Sequence, residues 1–190
     1  MLMGLPGIKI AFPSSAADFK GLLIESIREP NPVVFFADLM LLGKKGDVPE
    51  GAYSIEFGKA DVKREGTDVT VVAIGSTVPQ ALEVADQLAE TGVSVEVIDP
   101  RTLVPFDWDA VAKSVSKTGR LVAVDPNRET CGAASEIITQ AVERCWSQLK
   151  AQPQRVTWPN VPLLYCPPFE KAVVSDLDDI RRAIELTVKS

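Results

Sequence analysis

Histidine is absent from all 190 residues. That removes the side chain whose unperturbed pKa lies nearest neutrality and which most often does general acid–base work there. Aspartate, glutamate, lysine or a bound cofactor could still do such work, so the absence alone does not exclude an enzyme. It shifts expectation toward part of a larger machine, one that supplies walls, contacts and an interface more than a complete catalytic set. Cysteine is also scarce. Cys131, Cys145 and Cys166 are odd in number and too widely spaced for CxxC metal sites or a secreted disulfide framework. A reducing, cytoplasmic setting is the simplest expectation. Cys145 falls on the apolar face of an expected helix, where packing accounts for it. Basic residues never cluster beyond adjacent pairs, and the net charge is −6 from 20 basic and 26 acidic residues. Such a surface offers no footprint for nucleic acid or an anionic membrane. No run nears the roughly 18 apolar residues that span a bilayer. Met1 to Gly7 lack the basic and long apolar regions of a signal peptide. Gly4 to Gly7 read as a turn entering a strand directly, as in a chain that joins a domain midway.

What is present is a globular composition, 46% hydrophobic and 24% charged, which argues against general disorder. Ile8–Phe12 is β-prone and ends at Pro13. Ser14 or Ser15 can cap a helix to about Arg28, with Phe19, Leu22, Leu23 and Ile27 at helical spacing. The run Val33-Val34-Phe35-Phe36 suits a strand buried on both faces. Residues 8–36 therefore read as one β-α-β unit, too small to bury its own faces. Residues 38–57, with four glycines or prolines and mixed charge, read as a linker whose Tyr53 and Phe57 pack against something.

Beyond the linker the alternation becomes regular. Lys59–Lys63 suits an edge strand, and strands follow at 69–74, 93–98, 120–124 and 154–158. Between them lie helices beginning near Pro79, at Asp107 and at residue 133, and a last one spans 176–188. Helical spacers between strands imply right-handed crossovers, hence a mostly parallel sheet with helices on both faces.

Ligands of open α/β sheets collect beyond the carboxyl ends of the strands. Three loops qualify. Gly75-Ser76-Thr77 could present backbone N–H groups to an anion, although a capped turn explains it better and no glycine-rich phosphate motif is present. In Asp99–Asp107, Arg101 could clamp a carboxylate or phosphate; alternatively Asp99, Asp107 or backbone carbonyls hold it and it braces the loop. In Asp125–Gly132, acid, amide, base and hydroxyl come together around Asn127 and Arg128, either as a site or as a polar loop ahead of a helix cap. Asp178 and Asp179 fit a helix start on dipole grounds alone.

Several longer stretches carry a resemblance. They are Pro6–Ser15, Asp18–Leu23, Arg28–Phe36, Gly58–Thr70, Val95–Asp107 and Asn160–Glu170. In order and spacing they resemble the beta subunits of thiamine-diphosphate-dependent 2-oxo-acid dehydrogenase E1 components, a family that extends to transketolase and the acetoin and branched-chain enzymes. The resemblance implies that residues 1–45 are the C-terminal part of a pyrimidine-binding domain, 46–57 a linker, and 58–190 a transketolase-like C-terminal domain. It implies a three-layer αβα unit with a five-stranded, mainly parallel sheet. It also implies that the glutamate and histidine serving the cofactor lie in an earlier segment, so that this portion looks truncated. Diphosphate and magnesium would then be held by an alpha subunit, leaving no catalytic or cofactor-binding residue assigned here. A monovalent cation, potassium, would use the stretch of Ile27, Glu29 and Asn31, although Glu29 stands where the family has Asp. Arg101, with Asp99 and Asp107, would be structural or interface-forming. Loss of the family's His-Glu near Asp125–Gly132 weakens any role for Asn127 and Arg128 in catalysis.

Three functional readings follow. The first is a portion of an E1-beta-like subunit, which self-associates as a dimer and works with an E1-alpha-like subunit and an E2 acyltransferase. The second is a stand-alone, non-catalytic interaction module. The third is an enzyme without thiamine, in which Arg101, Asn127 and Arg128 bind a small anionic metabolite. Fold likeness alone carries no activity across.

Overall fold

The computed structural model describes residues 2–162 and 165–190. Leu163 and Leu164, part of the resemblance above, lie outside the described residues. A short 3-10 turn precedes β1 (Lys9–Ala11), α1 (Ala16–Arg28) and β2 (Val33–Phe35). Ser15 caps α1 by accepting the Asp18 N–H. β1 and β2 are parallel, so the expected β-α-β unit forms. β2 is half-buried and sits at the edge of its sheet, not sandwiched as its continuous apolar run suggested. α1 turns only part of its expected face inward: Leu22 is buried, while Ile27 is 77% exposed.

The larger layer contains β3 (Asp61–Arg64), β4 (Val69–Ala73), β5 (Val95–Asp99), β7 (Leu121–Arg128) and β8 (Gln154–Trp158). Their spatial order is β3-β5-β4-β7-β8, with β3 antiparallel at one edge and all other pairings parallel. One face is covered by α2 (Thr77–Ala89) and α6 (Leu177–Lys189) over Val71, Val97 and Val124. The other is covered by α3 (Trp108–Thr118) and α4 (Ala133–Cys145) over Val72, Ile98 and Ala123. The elements from β3 to α6 thus build a three-layer αβα unit around the five-stranded sheet. Cap chemistry sets the boundaries. Asp107 caps α3, Gly119 ends it in the left-handed region at φ 74°, and Asp176 with Asp179 forms a capping box on α6.

Two elements fall outside the sequence expectations, β6 (Thr102–Val104) and α5 (Pro167–Val173). β6 is decisive for the architecture. It pairs antiparallel with β1, making the small sheet β2-β1-β6 and carrying a strand of the C-terminal region into the N-terminal unit. Ile10 of β1 accordingly joins the same core as Ile74, Leu103, Phe106 and Ala133. The segment after β2 also packs as expected. Tyr53 Oη donates to Ala17 O at 2.7 Å, and Phe57 closes a small core with Ala11 and Leu22. Much of the face that the β-α-β unit could not bury alone is covered by this chain's own linker and β6.

Candidate functional site

β4 connects through α2 to β5 on one side, whereas the chain leaves β5 for β7 on the other. The crevice beyond the carboxyl ends of β4 and β7 is therefore the topological switch point, where a ligand of such a sheet belongs. Here the chain fills it from its own N-terminal segment. Gly75 adopts φ +56°, and a Cβ there would stand 2.6 Å from the Phe12 ring and 3.0 Å from Asp38 Oδ2. Phe12 stacks on Phe36, with ring centroids 5.1 Å apart. Asp38 Oδ2 accepts the Ser76 N–H at 2.9 Å while its Oδ1 accepts the Met40 N–H at 3.0 Å. The anion at the start of α2 is thus a carboxylate of this protein, which identifies the Gly75-Ser76-Thr77 loop as a capped turn.

The β7 side is arranged likewise. Asp125 is buried, and its Oδ2 accepts the Ala134 N–H at 3.2 Å, capping α4 in place of Gly132. Burial pushes the Asp125 carboxyl above its ordinary pKa, opposed by the N–H groups of Ala134 and Ala133. A Cβ on Gly132 would approach Arg128 O to 2.6 Å and Asp125 Oδ2 to 2.9 Å, so the corner needs glycine. The expected loop at Asn127 and Arg128 is a correction: β7 continues through Arg128, pairing it with Trp158 across a bulge. The exposed Asn127 turns its Oδ1 back to the Arg128 N–H, and Arg128 Nε donates to Val161 O at 3.3 Å. Beside the crevice remains a cleft of about 430 Å³ lined by Phe12, Phe36, Leu103, Asp125, Asn127 and Cys131. Its walls hold a carboxylate and no cation. That lining does not fit a diphosphate, and the described residues include no group of three acidic or Cys ligands for a metal.

Arg101 is braced, but not by the partners expected from its neighbours in sequence. Its Nη2 donates to Asp61 Oδ2 at 2.6 Å, and its Nε lies 2.9 Å from Asp18 Oδ1 without directing its N–H at an acceptor. Only its backbone N–H meets Asp99, at 2.8 Å from Oδ1. Arg101 sits at φ 59°, and its carbonyl accepts the Phe12 N–H at 2.8 Å. Asp107 serves α3 and the linker end instead, its Oδ1 accepting the Ala110 N–H and its Oδ2 the Ala60 N–H, each at 3.0 Å. Lys63 completes the cluster, 2.8 Å from Asp18 and 2.7 Å from Asp61. Burial disfavours the Lys63 charge, yet its bonds to Asp18 and Asp61 raise its pKa above the usual lysine value. Asp61 is held below the usual range because Lys63 and Arg101 outweigh its desolvation. Asp18 and Asp61, missed in the sequence, complete the joint, and only the register of α1 and β3 reveals them.

At the far end of α1, Glu29 and Asn31 come together while the Ile27 side chain points to solvent. Glu29 accepts from Lys9 Nζ at 2.5 Å and from Asn31 Nδ2 at 2.6 Å, bonds that hold its carboxyl below the ordinary range. Here an ammonium stands where a monovalent cation would neutralise Glu29, and Asn31 presents a donor rather than an oxygen.

Comparison with known proteins agrees with the fold. Residues 58–180 match the family described as transketolase, C-terminal domain. The beta subunit of an acetoin:2,6-dichlorophenolindophenol oxidoreductase from Cupriavidus necator is 42% identical over 185 residues, covering 97% of this chain and 55% of that protein. A pyruvate dehydrogenase E1 component beta subunit from Bacillus subtilis is 43% identical over 156 residues, covering 82% of this chain and 48% of that protein. A solved split-gene transketolase, described as an inactive beta4 tetramer, superposes with TM-score 0.78 at 24% identity over 98% of this chain and 60% of that one, a likeness of fold. The chain spans about half the length of the curated relatives it matches. It belongs to the transketolase C-terminal-domain family, and over most of its length it is similar to the beta subunits of pyruvate dehydrogenase E1 and acetoin oxidoreductase.

Proposed function

We propose that these residues form the assembly part of an E1-beta-like subunit: they join subunits and offer one wall of a thiamine diphosphate site completed elsewhere. The observation that carries this reading is the filled switch point. Phe12 and Asp38 occupy the crevice in which a sheet of this topology would bind its own ligand, and both flanking helix starts carry internal carboxylates. No step of decarboxylation or acyl transfer to lipoamide is assigned to these side chains. The surface offers contact area instead. Leu39, Met40 and Leu42, on the turn after β2, are 81%, 74% and 63% exposed, beside a cleft of about 610 Å³ reaching Trp158 and Val174. Contiguous exposed apolar surface of this kind marks an interaction site.

The partners proposed are a second copy and an E1-alpha-like subunit, with an E2 acyltransferase beyond them. Sedimentation velocity at tens of micromolar, alone and with the alpha-like chain of the same genome, tests this. A dimer or a mixed complex is expected; a clean monomer under both conditions contradicts it. A second reading, an interaction module working without any catalytic partner, draws on the same closure of the crevice. It would be favoured by self-association with no mixed complex.

A further inference from the structure

We propose that the cluster joining α1 to the five-stranded sheet is a proton-operated clasp, in which the protonation state of Asp99 sets how tightly the N-terminal unit is held. The geometry is one of unequal charge. Three carboxylates, Asp18 of α1, Asp61 of β3 and Asp99 at the end of β5, meet two cations, Lys63 of β3 and Arg101 of the following loop. Both cations are engaged by Asp18 and Asp61 at 2.6–2.9 Å. Asp99, fully buried, has Lys63 only at 3.9 Å. Its close partners are neutral donors, the Ser14 hydroxyl and the Arg101 N–H. Asp107 and Lys9 have their own partners, Asp107 the Ala60 and Ala110 N–H groups and Lys9 the Glu29 carboxylate. Asp99 therefore carries the excess negative charge of the cluster at its most buried point, while water reaches Asp61 at the outer edge.

The consequence has a definite sign. Burial raises the Asp99 carboxyl to about 6, against the bonds from Ser14 and Arg101 and the field of Lys63. An acid whose folded pKa lies above its unfolded one binds its proton more tightly when docked, so docking is favoured at low pH and weakens as pH rises toward 6. Between pH 5 and 7.5 the opening equilibrium should rise roughly 10-fold. The segments that separate are those bridged here: Ser14 and Asp18 on one side, Lys63, Asp99 and Arg101 on the other. Phe12, which fills the switch-point crevice, hangs on the same joint through its N–H to Arg101 O.

Amide exchange of the full chain, corrected for the intrinsic pH dependence, reads this directly, together with the carboxyl-carbon titration of Asp99. The Phe12 and Arg101 amides should lose roughly 10-fold protection from pH 5 to 7.5 while Val71 and Val122 in the central strands do not, and Asp99 should titrate near 6. Asp99→Asn should flatten the dependence. Ser14→Ala, which removes a donor to the carboxylate, should move the Asp99 midpoint upward. A midpoint near 4, or protection at Phe12 that does not change with pH, overturns the clasp. An equal change in the central strands also overturns it, since the proton would then report global stability alone. Should Asp99→Asn fail to fold, the wild-type titration and Ser14→Ala still decide.

Discussion

Replacing Arg101 by alanine isolates the joint between the N-terminal unit and the sheet. The guanidinium is mostly covered, and it faces Asp18, whose side chain is 4% exposed, and Asp61, 34% exposed. Removing one partner of a buried ion pair costs about 3–5 kcal/mol because the other charge stays buried. Lys63 remains within 2.8 Å of both carboxylates, and water screens Asp61, so the cost falls to roughly 2–3 kcal/mol. Backbone strain is separable. Arg101 sits at φ 59°, where alanine is no better than arginine but glycine is relieved by about 1–2 kcal/mol. Arg101→Gly should therefore unfold at higher denaturant than Arg101→Ala, while both fall below the wild type. Arg101→Lys should fall between wild type and Arg101→Ala, since an ammonium lacks the fork that reaches two carboxylates. Urea unfolding followed by circular dichroism, with m-values compared, gives all three numbers. If Arg101→Ala stays within about 0.5 kcal/mol of wild type, the bracing account fails and the loop becomes a binding site again.

Further expectations follow from the same contacts. Gly132→Ala should destabilise by about 1–3 kcal/mol in thermal unfolding, because the added Cβ meets Arg128 O and Asp125 and the backbone must move. Asp38→Ala removes the cap on α2 and should cost about 0.5–2 kcal/mol, with faster exchange of the Ser76 amide as its local signature. Leu39→Ser with Met40→Ser should leave the unfolding midpoint nearly unchanged but weaken association measured by sedimentation, since both side chains are exposed. Exchanging potassium for sodium should leave the melting temperature unaltered, because Lys9 already neutralises Glu29; a potassium-specific rise would restore Ile27, Glu29 and Asn31 as a cation site.

The layered α/β architecture was legible because its signals are local and repeated. Strand 69–74 is a largely apolar run and 93–98 alternates apolar residues with Ser94 and Glu96, and Asp107, Gly119 and Asp176 mark helix ends by cap chemistry visible in the chain itself. β6 was not legible. Three residues between Pro100 and Pro105 carry too little pattern, and they form a strand only because β1 lies alongside. For the same reason the partners of Arg101 could not be read from Asp99 and Asp107 nearby: its guanidinium reaches Asp18 and Asp61, some 83 and 40 positions away in sequence. Asp38 lay in an irregular stretch with no period, and only the fold shows it capping α2. Sequence neighbours set the caps of α3 and α6; distant residues set the joint, the filling of the crevice and the cap on α2.

The claim that the chain fills its own ligand crevice and contributes assembly rather than a whole catalytic centre is tested most directly by calorimetry with thiamine diphosphate and magnesium. The isolated 190-residue chain should give no heat of binding at micromolar cofactor, and no 2-oxo-acid decarboxylation should accompany it. Micromolar binding with one site per chain would contradict the account, because Phe12 and Asp38 would then have to leave the crevice or a complete cradle would have to exist elsewhere on the protein.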